Sequence, residues 1–478
     1  MHTEPHPDSD KSESTIIPLK LILPITAIGT FMSAMDGSIV NVSLVTIANA
    51  LDTNMEGIRL IVIAYLLVIS CFIGIAGMLG DNYGRKIVFQ IGMGLFILGS
   101  VLCAVSITLE MLVFARVIQA IGGAGLTANG LALVITYVEP SIRGRAIGLN
   151  SLVVASALSS GPVLGGFLSE YIGWTSIFLI NVPIGLVGIL LVHRQIPETP
   201  RKPNIKIDYI GMIFFIITAF SFVGGVLIIF KDNLIGGFLI ITAIFFGVAF
   251  VYLEIRNPKP MISIKIMKNR TILAGIFSSF LCYMVYYGMV FLLPFFYQEV
   301  QMFSQSQTGI LMIVPPIAMA IMGPVAGLFA EKIDIRKLAS FGAFFLSFFV
   351  FLLALTINLE LYIVVPLVAL SAGALTTFTV SNGTSVMNAA PTKDVSVVSG
   401  LIGLSRNIGF TLGTTLTSAF FSLFYLMHNP DEISSGLIFT SSYYQSLEST
   451  YLIFALFALL GAGISLLRKS HDPIVMEE

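Results

Sequence analysis

Asp36 lies near the middle of a long apolar run, roughly Leu19 to Ala50, inside the stretch FMSAMDGSIVNVSL. No Lys or Arg stands near it in sequence. A charged carboxylate at the centre of a membrane helix costs about 2.5–3.5 kcal/mol on insertion scales. Desolvation favours the protonated form of a buried carboxylate, and a nearby cation favours the ionised one. Between those limits such a group exchanges protons; the plainer alternative is a structural Asp that hydrogen-bonds a neighbouring helix. Arg116 is the other charge that stands out. It opens a stripe of Arg116, Gln119, Gly123, Thr127 and Gly130 at helical spacing. The residues leave three roles open for it: pairing with Asp36 across a bundle, binding an anionic group, or snorkelling to an interface.

A second set of residues has the makings of a pocket. Tyr283 and Tyr287 share a helix face at i, i+4, and Phe280 and Phe291 extend it. Aromatic walls suit lipophilic or cationic compounds through apolar area and cation–π contact; ordinary packing aromatics give the same pattern. Ser33, Tyr65, Gln119 and Asn407 are further cavity candidates. Arg406 is unusual inside an apolar run, although it lies toward the end of that run.

These residues need helices to carry them. The 478-residue chain is 56% hydrophobic and only 11% charged, where a soluble domain carries about 25% charged residues. The composition is that of a membrane protein. A net charge of −1 argues against a nucleic-acid partner. The 3 cysteines fall inside apolar runs and read as small core residues, and the 5 histidines show no metal-ligand spacing. No cofactor and no enzymatic activity are expected.

A helix needs roughly 20 apolar residues to cross the hydrocarbon. Cutting at charged and Pro/Gly/Asn punctuation predicts fourteen spans: 19–45, 58–79, 87–107, 109–136, 146–168, 174–193, 208–230, 235–254, 272–297, 308–330, 336–357, 359–384, 395–425 and 449–467. Of the 26 acids, Asp36 is the only one deep in a predicted span; Glu110, Glu170, Glu299 and Glu331 sit at edges. The 25 Lys and Arg residues fall almost entirely on one side: only Arg59 and Lys231 fall on the other, and Arg116 and Arg406 lie within spans. That asymmetry predicts both termini in the cytoplasm. The polar, acidic start, MHTEPHPDSDKSEST, lacks a signal peptide's basic region and reads as a disordered tail.

The chain repeats itself. GMLGDNYGRK (Gly77–Lys86), between the second and third spans, is echoed by GLFAEKIDIRK (Gly327–Lys337), between the tenth and eleventh. GPVLGG (Gly161–Gly166) is echoed by GFTLGT (Gly409–Thr414). Two six-span halves with two extra spans between them account for all fourteen, and repeated halves around a central site are a transporter architecture. In the first loop Gly77 permits close helix approach and Gly84 a tight turn. By position Arg85 meets Glu139 at the end of the fourth span, unless the loop is only a set of solvated charges. In the fifth span Gly161, Pro162, Gly165 and Gly166 predict a kinked, tightly packed helix.

Five motifs in order resemble the major facilitator superfamily, and within it the fourteen-span drug:proton antiporter family: DGSIVNVSL from Asp36, GMLGDNYGRK, RVIQAIGGAG from Arg116, GPVLGG and GWTSIFLINVPIG (Gly173–Gly185). The resemblance covers nearly the whole chain. It implies an all-α membrane protein with the major facilitator fold: a tail (1–18), an N-terminal six-helix bundle (19–194), a linker with two extra transmembrane helices (195–270), a C-terminal six-helix bundle (271–467) and a second tail (468–478). It implies proton coupling through Asp36 and Arg116, and a conformational latch of Gly77, Asp81, Gly84, Arg85 and Glu139, weakened where Asn82 replaces a common basic residue. It ties the Gly-Pro fifth span to exporters.

The implied function is proton-coupled export of lipophilic or amphiphilic small molecules by a monomer in the cytoplasmic membrane, with protons, the small-molecule substrate and the lipid bilayer as partners. Some relatives that export dications carry extra acids in the tenth or thirteenth span; GILMIVPPIAMAIMGPVAGLF and LIGLSRNIGFTLGTTLTSAFF have none. Neutral, monocationic or zwitterionic amphiphiles are therefore expected. A dedicated metabolite permease, or an importer, on the same fold is the alternative. A transport-inactive sensor fits less well with such short tails. No GxxxxGK[ST] motif for nucleotide hydrolysis is present.

Overall fold

The computed structural model describes residues 17–139, 142–198, 208–229, 232–257, 268–390, 395–428 and 440–468. Nearly all of both expected tails lies outside the described residues. Sixteen helices are described. They are α1 (Leu19–Ala50), α2 (Met55–Tyr83), α3 (Arg85–Ala104), α4 (Leu109–Tyr137), α5 (Arg143–Tyr171), α6 (Ser176–Leu179), α7 (Asn181–Gln195), α8 (Tyr209–Ile228) and α9 (Asn233–Arg256). There follow α10 (Arg270–Phe295), which runs into a π-helical turn (Phe296–Val300), α11 (Gln305–Met312), α12 (Val314–Lys332), α13 (Ile335–Thr356), α14 (Leu361–Asn388), α15 (Val395–His428) and α16 (Thr440–Leu466). Helices α6 and α7 make one span, as do α11 and α12. Among the described residues 13 spans are long and apolar enough to cross a membrane; α5, with 29 residues, is the fourteenth transmembrane helix of the fold.

The punctuation that separates the spans in sequence closes the helices in space. Asn54, Thr108, Asp208, Asp232 and Asn269 each accept a bond from a backbone N–H of the helix they precede. Ser304 and Gln307 form a reciprocal capping box at α11. Gly84 turns the chain between α2 and α3 at φ +103°, a conformation that favours glycine.

The largest difference from the predicted boundaries is at the last helix. Helix α16 begins at Thr440, not at residue 449. Its first turns read as polar, but Ser446 and Thr450 bond to the carbonyls of Ser442 and Ser446, which satisfies their hydroxyls within the helix. Glu448 therefore lies two turns inside a helix, so Asp36 is not the only acid set into one.

The same neighbour pairs occur in both parts of the chain. Helix α1 packs on α5 and α3 on α4; correspondingly α10 packs on α15 and α13 on α14. The GPVLGG echo explains one of these pairs. Gly161 and Gly165 leave room for the α1 backbone at Ile39 and for the side chains of Ser38 and Ile39 to approach. Gly409 and Gly413 likewise admit the α10 backbone at Phe280 and Met284. Two glycines one turn apart thus seat the same helix pair in each half.

The two groups of helices are tied together at the end opposite the Arg85 turn. There Gln298 Nε2 donates to the Val42 carbonyl at 2.7 Å, and Gln305 bonds to Thr46. Glu170 Oε2 accepts from the Ser306 amide and hydroxyl at 2.8 and 2.7 Å. Arg59 Nη1 reaches Ser418 Oγ at 2.7 Å. Gly166 lies directly against the backbone of Gln305 and Ser306, and Gly309 against the Pro162 carbonyl. Helices α8 and α9 pack on each other, and α8 touches both α2 and α15. A wholly apolar cavity of about 170 Å³, bounded by Cys71, Phe215, Phe222 and Leu412 among others, lies where those three helices meet.

Candidate functional site

The centre of the N-terminal group is an ion pair sealed from solvent. Arg116 Nη1 lies 2.5 Å from Asp36 Oδ2, and the two side chains are 1% and 0% exposed. Helix α4 brings Arg116 in two turns from its start, and Gln119 follows one turn later on the same face. Gln119 Nε2 donates to Asp36 Oδ1 at 2.8 Å and to Ser100 Oγ of α3 at 2.9 Å, while its Oε1 accepts from Arg116 at 2.6 Å. Asn181, the first residue of α7, donates to Asp36 Oδ1 at 3.4 Å. Both carboxylate oxygens act as acceptors, which is the pattern of an ionised group.

Tyr65 of α2 completes the surroundings. Arg116 lies over its ring, 4.1 Å from the centroid. The Tyr65 hydroxyl donates to the Ser33 carbonyl at 3.2 Å, and Ser33 Oγ pairs with Thr127 Oγ1 at 3.3 Å. Five helices therefore meet at one buried pair. Each ion loses several kcal/mol of hydration there, which the contact and its four supporting groups must offset. The pair ties α1 to α4, and its attraction depends on the charge that Asp36 carries.

The structure brings Asp36 and Arg116 together, one of the arrangements that the sequence left open, and places Tyr65, a cavity candidate in the sequence, buried against Arg116. Gln119 and Ser33 are placed differently from the expectation that they line a cavity. Gln119 is fully buried and committed to Asp36 and Ser100, and Ser33 is held between Tyr65 and Thr127. Asn181 and Ser100 were not singled out. Asn181 had a signal: a lone amide in the apolar run SIFLINVPIG.

At the Arg85 turn the expected contact with Glu139 is not formed. Arg85 pairs with Asp81, one turn back, at 2.8 Å, and donates to the Ala132 carbonyl and Thr136 Oγ1 of α4. Glu139 is exposed past the end of α4, where the guanidinium, already committed to that helix's last turns, does not extend. Gly77 is also not the close-packing position, since a side chain there would meet nothing within 4 Å. Gly80 takes that role against Asn129, whose amide donates to the Ala76 carbonyl at 3.0 Å. Lys86 adds a bridge to Glu198 at 3.3 Å.

In the C-terminal group Tyr283 and Tyr287 do share a face, and Phe410 of α15 fills it. Phe410 stacks on Tyr287 with centroids 3.4 Å apart and meets Tyr283 edge-on at 5.5 Å. Thr379 Oγ1 donates to the Tyr283 hydroxyl at 3.3 Å. Asn407 is buried beside this cluster on α15. The free cysteines Cys71, Cys103 and Cys282 are all buried.

Comparison with known proteins agrees with this architecture. The sequence model of the Major Facilitator Superfamily matches residues 26–414. The riboflavin transporter RibZ of Clostridioides difficile is 31% identical over 462 residues, covering 95% of this chain and 99% of its own. The multidrug resistance protein Stp of Mycobacterium tuberculosis is 29% identical over 400 residues, covering 82% of this chain and 74% of its own. In fold, the chain matches a bacterial homologue of the human lysosomal transporter Spinster, in an inward-facing and unoccupied conformation, with a TM-score of 0.68 at 17% identity over 94% of this chain and 96% of that one. The chain is thus an integral membrane transporter that belongs to the Major Facilitator Superfamily, and its likeness within it is to the drug:proton antiporter family.

Proposed function

We propose that this transporter exports lipophilic or amphiphilic small molecules in exchange for protons, by alternating access between two six-helix halves (19–194 and 271–467). The observation that carries the reading is the sealed Asp36–Arg116 pair, in which both carboxylate oxygens are bonded. A group of this kind stores one charge that a proton can cancel. The basic-residue asymmetry supports a cytoplasmic Arg85 end, and hence a structure closed on the outside by Glu170–Ser306, Gln298–Val42 and Arg59–Ser418. In this reading substrate enters from the cytoplasm while Asp36 is ionised. The outward-open state exposes Asp36 to protons, and protonation cancels the ion pair and favours substrate release and return. The protein acts as a monomer in the cytoplasmic membrane, with both termini inside, and the Asp81–Arg85–α4 contacts latch the Arg85 end. Relatives named for drug resistance support an export role. The test is Asp36→Asn in proteoliposomes under an imposed pH gradient: substrate-driven proton flux is abolished. Flux that survives unchanged overturns the coupling role.

A second reading, a dedicated metabolite permease, is favoured by the full-length likeness to a riboflavin transporter. Uptake by inverted vesicles separates the two. A panel of unrelated dyes competes with one another for the exporter, whereas a dedicated permease ignores the dyes and takes riboflavin or one comparable metabolite.

A further inference from the structure

Arg406 is the charge that the mechanism leaves unused. It sits three turns into α15, half-buried, with Nε buried and without a hydrogen-bond partner. Among the described residues its guanidinium has no ion pair. Asp36 is not available to it: both oxygens of that carboxylate are taken by Arg116, Gln119 and Asn181. An unpaired guanidinium inside the apolar span, which begins at Leu401, is costly even when half-buried, and a counter-ion relieves that cost.

The surroundings of Arg406 are open and aromatic. Gly403, Arg406 and Phe410 lie on one face of α15 at i, i+3 and i+7. A side chain built at Gly403, one turn before Arg406 on that face, would meet nothing within 4 Å. Tyr287, stacked on Phe410, lies within electrostatic reach of Arg406 on one side and of Tyr65 on the other. Tyr287 is thus close both to the unpaired guanidinium and to Tyr65, which stacks on Arg116 of the sealed pair. The flat faces of the aromatic cluster offer stacking, and the one uncompensated charge beside them is positive.

We propose that Tyr283, Tyr287, Arg406 and Phe410 form a site for planar aromatic compounds that carry an acidic group. The ring lies against Tyr287 and Phe410, and the anionic group takes the bonds that Arg406 lacks. This deepens the transporter reading above, on which it rests in taking this region as the substrate site. It also reverses the charge preference drawn from the sequence, because counting acids in the spans did not show that Asp36 is already neutralised.

The test is a charge series on one ring: 2-naphthalenesulfonate, 2-naphthamide and 2-naphthylmethylammonium. Binding to the purified full-length protein in detergent is measured by calorimetry, with no pH gradient. The sulfonate binds about tenfold tighter than the amide, and the ammonium compound is weakest. Arg406→Gln brings the sulfonate to the value of the amide and leaves the amide unchanged; Arg406→Lys keeps part of the preference; Phe410→Ala weakens all three. The proposal is overturned if the ammonium compound matches the sulfonate on the unaltered protein, if none of the three binds, or if Arg406→Gln with an unchanged melting temperature keeps the preference. Where Arg406→Gln fails to fold, the series on the unaltered protein decides. Equilibrium binding involves neither proton flux nor direction. A failed series beside an uncoupled Asp36→Asn removes this site alone, and a successful series beside a coupled Asp36→Asn removes the proton role alone.

Discussion

Arg116 is held between two different partners: the Asp36 carboxylate at 2.5 Å on one side and the face of Tyr65 at 4.1 Å on the other. The ring keeps the guanidinium in place by its electron-rich face, a contact that does not depend on whether Asp36 carries a proton. Arg116 therefore has somewhere to remain when its ion pair is cancelled.

Removing one partner of the pair is expected to cost more than removing both charges. Arg116→Gln alone leaves a buried carboxylate unpaired, and destabilises the fold by about 3–5 kcal/mol. Adding Asp36→Asn to that variant recovers a large part of the loss. Thermal unfolding of the purified single and double variants checks this, and a double variant no more stable than Arg116→Gln contradicts it.

The Arg85 turn separates two carboxylates that the sequence placed together. Asp81→Asn removes the carboxylate that pairs with Arg85 and is expected to lower transport severalfold with little change in melting temperature, since the pair is partly exposed. Glu139→Gln leaves transport as it was. Initial rates in proteoliposomes, normalised to reconstituted protein, measure both.

The glycine pairs give a prediction by position. Gly165→Val and Gly413→Val each push a side chain into a neighbouring backbone and are expected to cost about 1–3 kcal/mol. Gly77→Val has open space on that face and costs little beyond propensity. Melting temperatures of the three variants should fall into that order.

Glu170 ties α5 to Ser306 across the two groups of helices. Glu170→Gln is expected to loosen that end. With the native cysteines buried, a cysteine introduced at Thr46 reports the change: its labelling by an impermeant maleimide rises severalfold over the same cysteine in the unaltered background.

Much of this molecule was legible because a bilayer simplifies the code. Apolar length set the spans, and short polar residues between them set the caps, so Asn54, Thr108 and Asp232 lie in the gaps between spans and also cap helices. The exception at Thr440–Ser449 has the opposite cause: Ser and Thr hydroxyls that read as polar are silenced by carbonyls of their own helix. The polar centre was half legible. Asp36 and Arg116 stood out as expensive residues, whereas Asn181 and Ser100 are cheap ones whose value appears only when α7 and α3 close around the carboxylate. Arg85 was matched to Glu139 by position along the chain, and the i, i+4 geometry of Asp81 decided otherwise.

Helix α8 touches α2 and α15 at once, with the small apolar cavity where the three meet. It is thus less a tether than a third wall, shared by both halves and facing the acyl chains. Under the alternating access proposed above, rocking of the halves shears one of its contacts and changes the volume that lipid tails fill. The balance between the two access states then becomes a property of the bilayer as well as of the protein, so that acyl-chain length and order set how readily this transporter turns over.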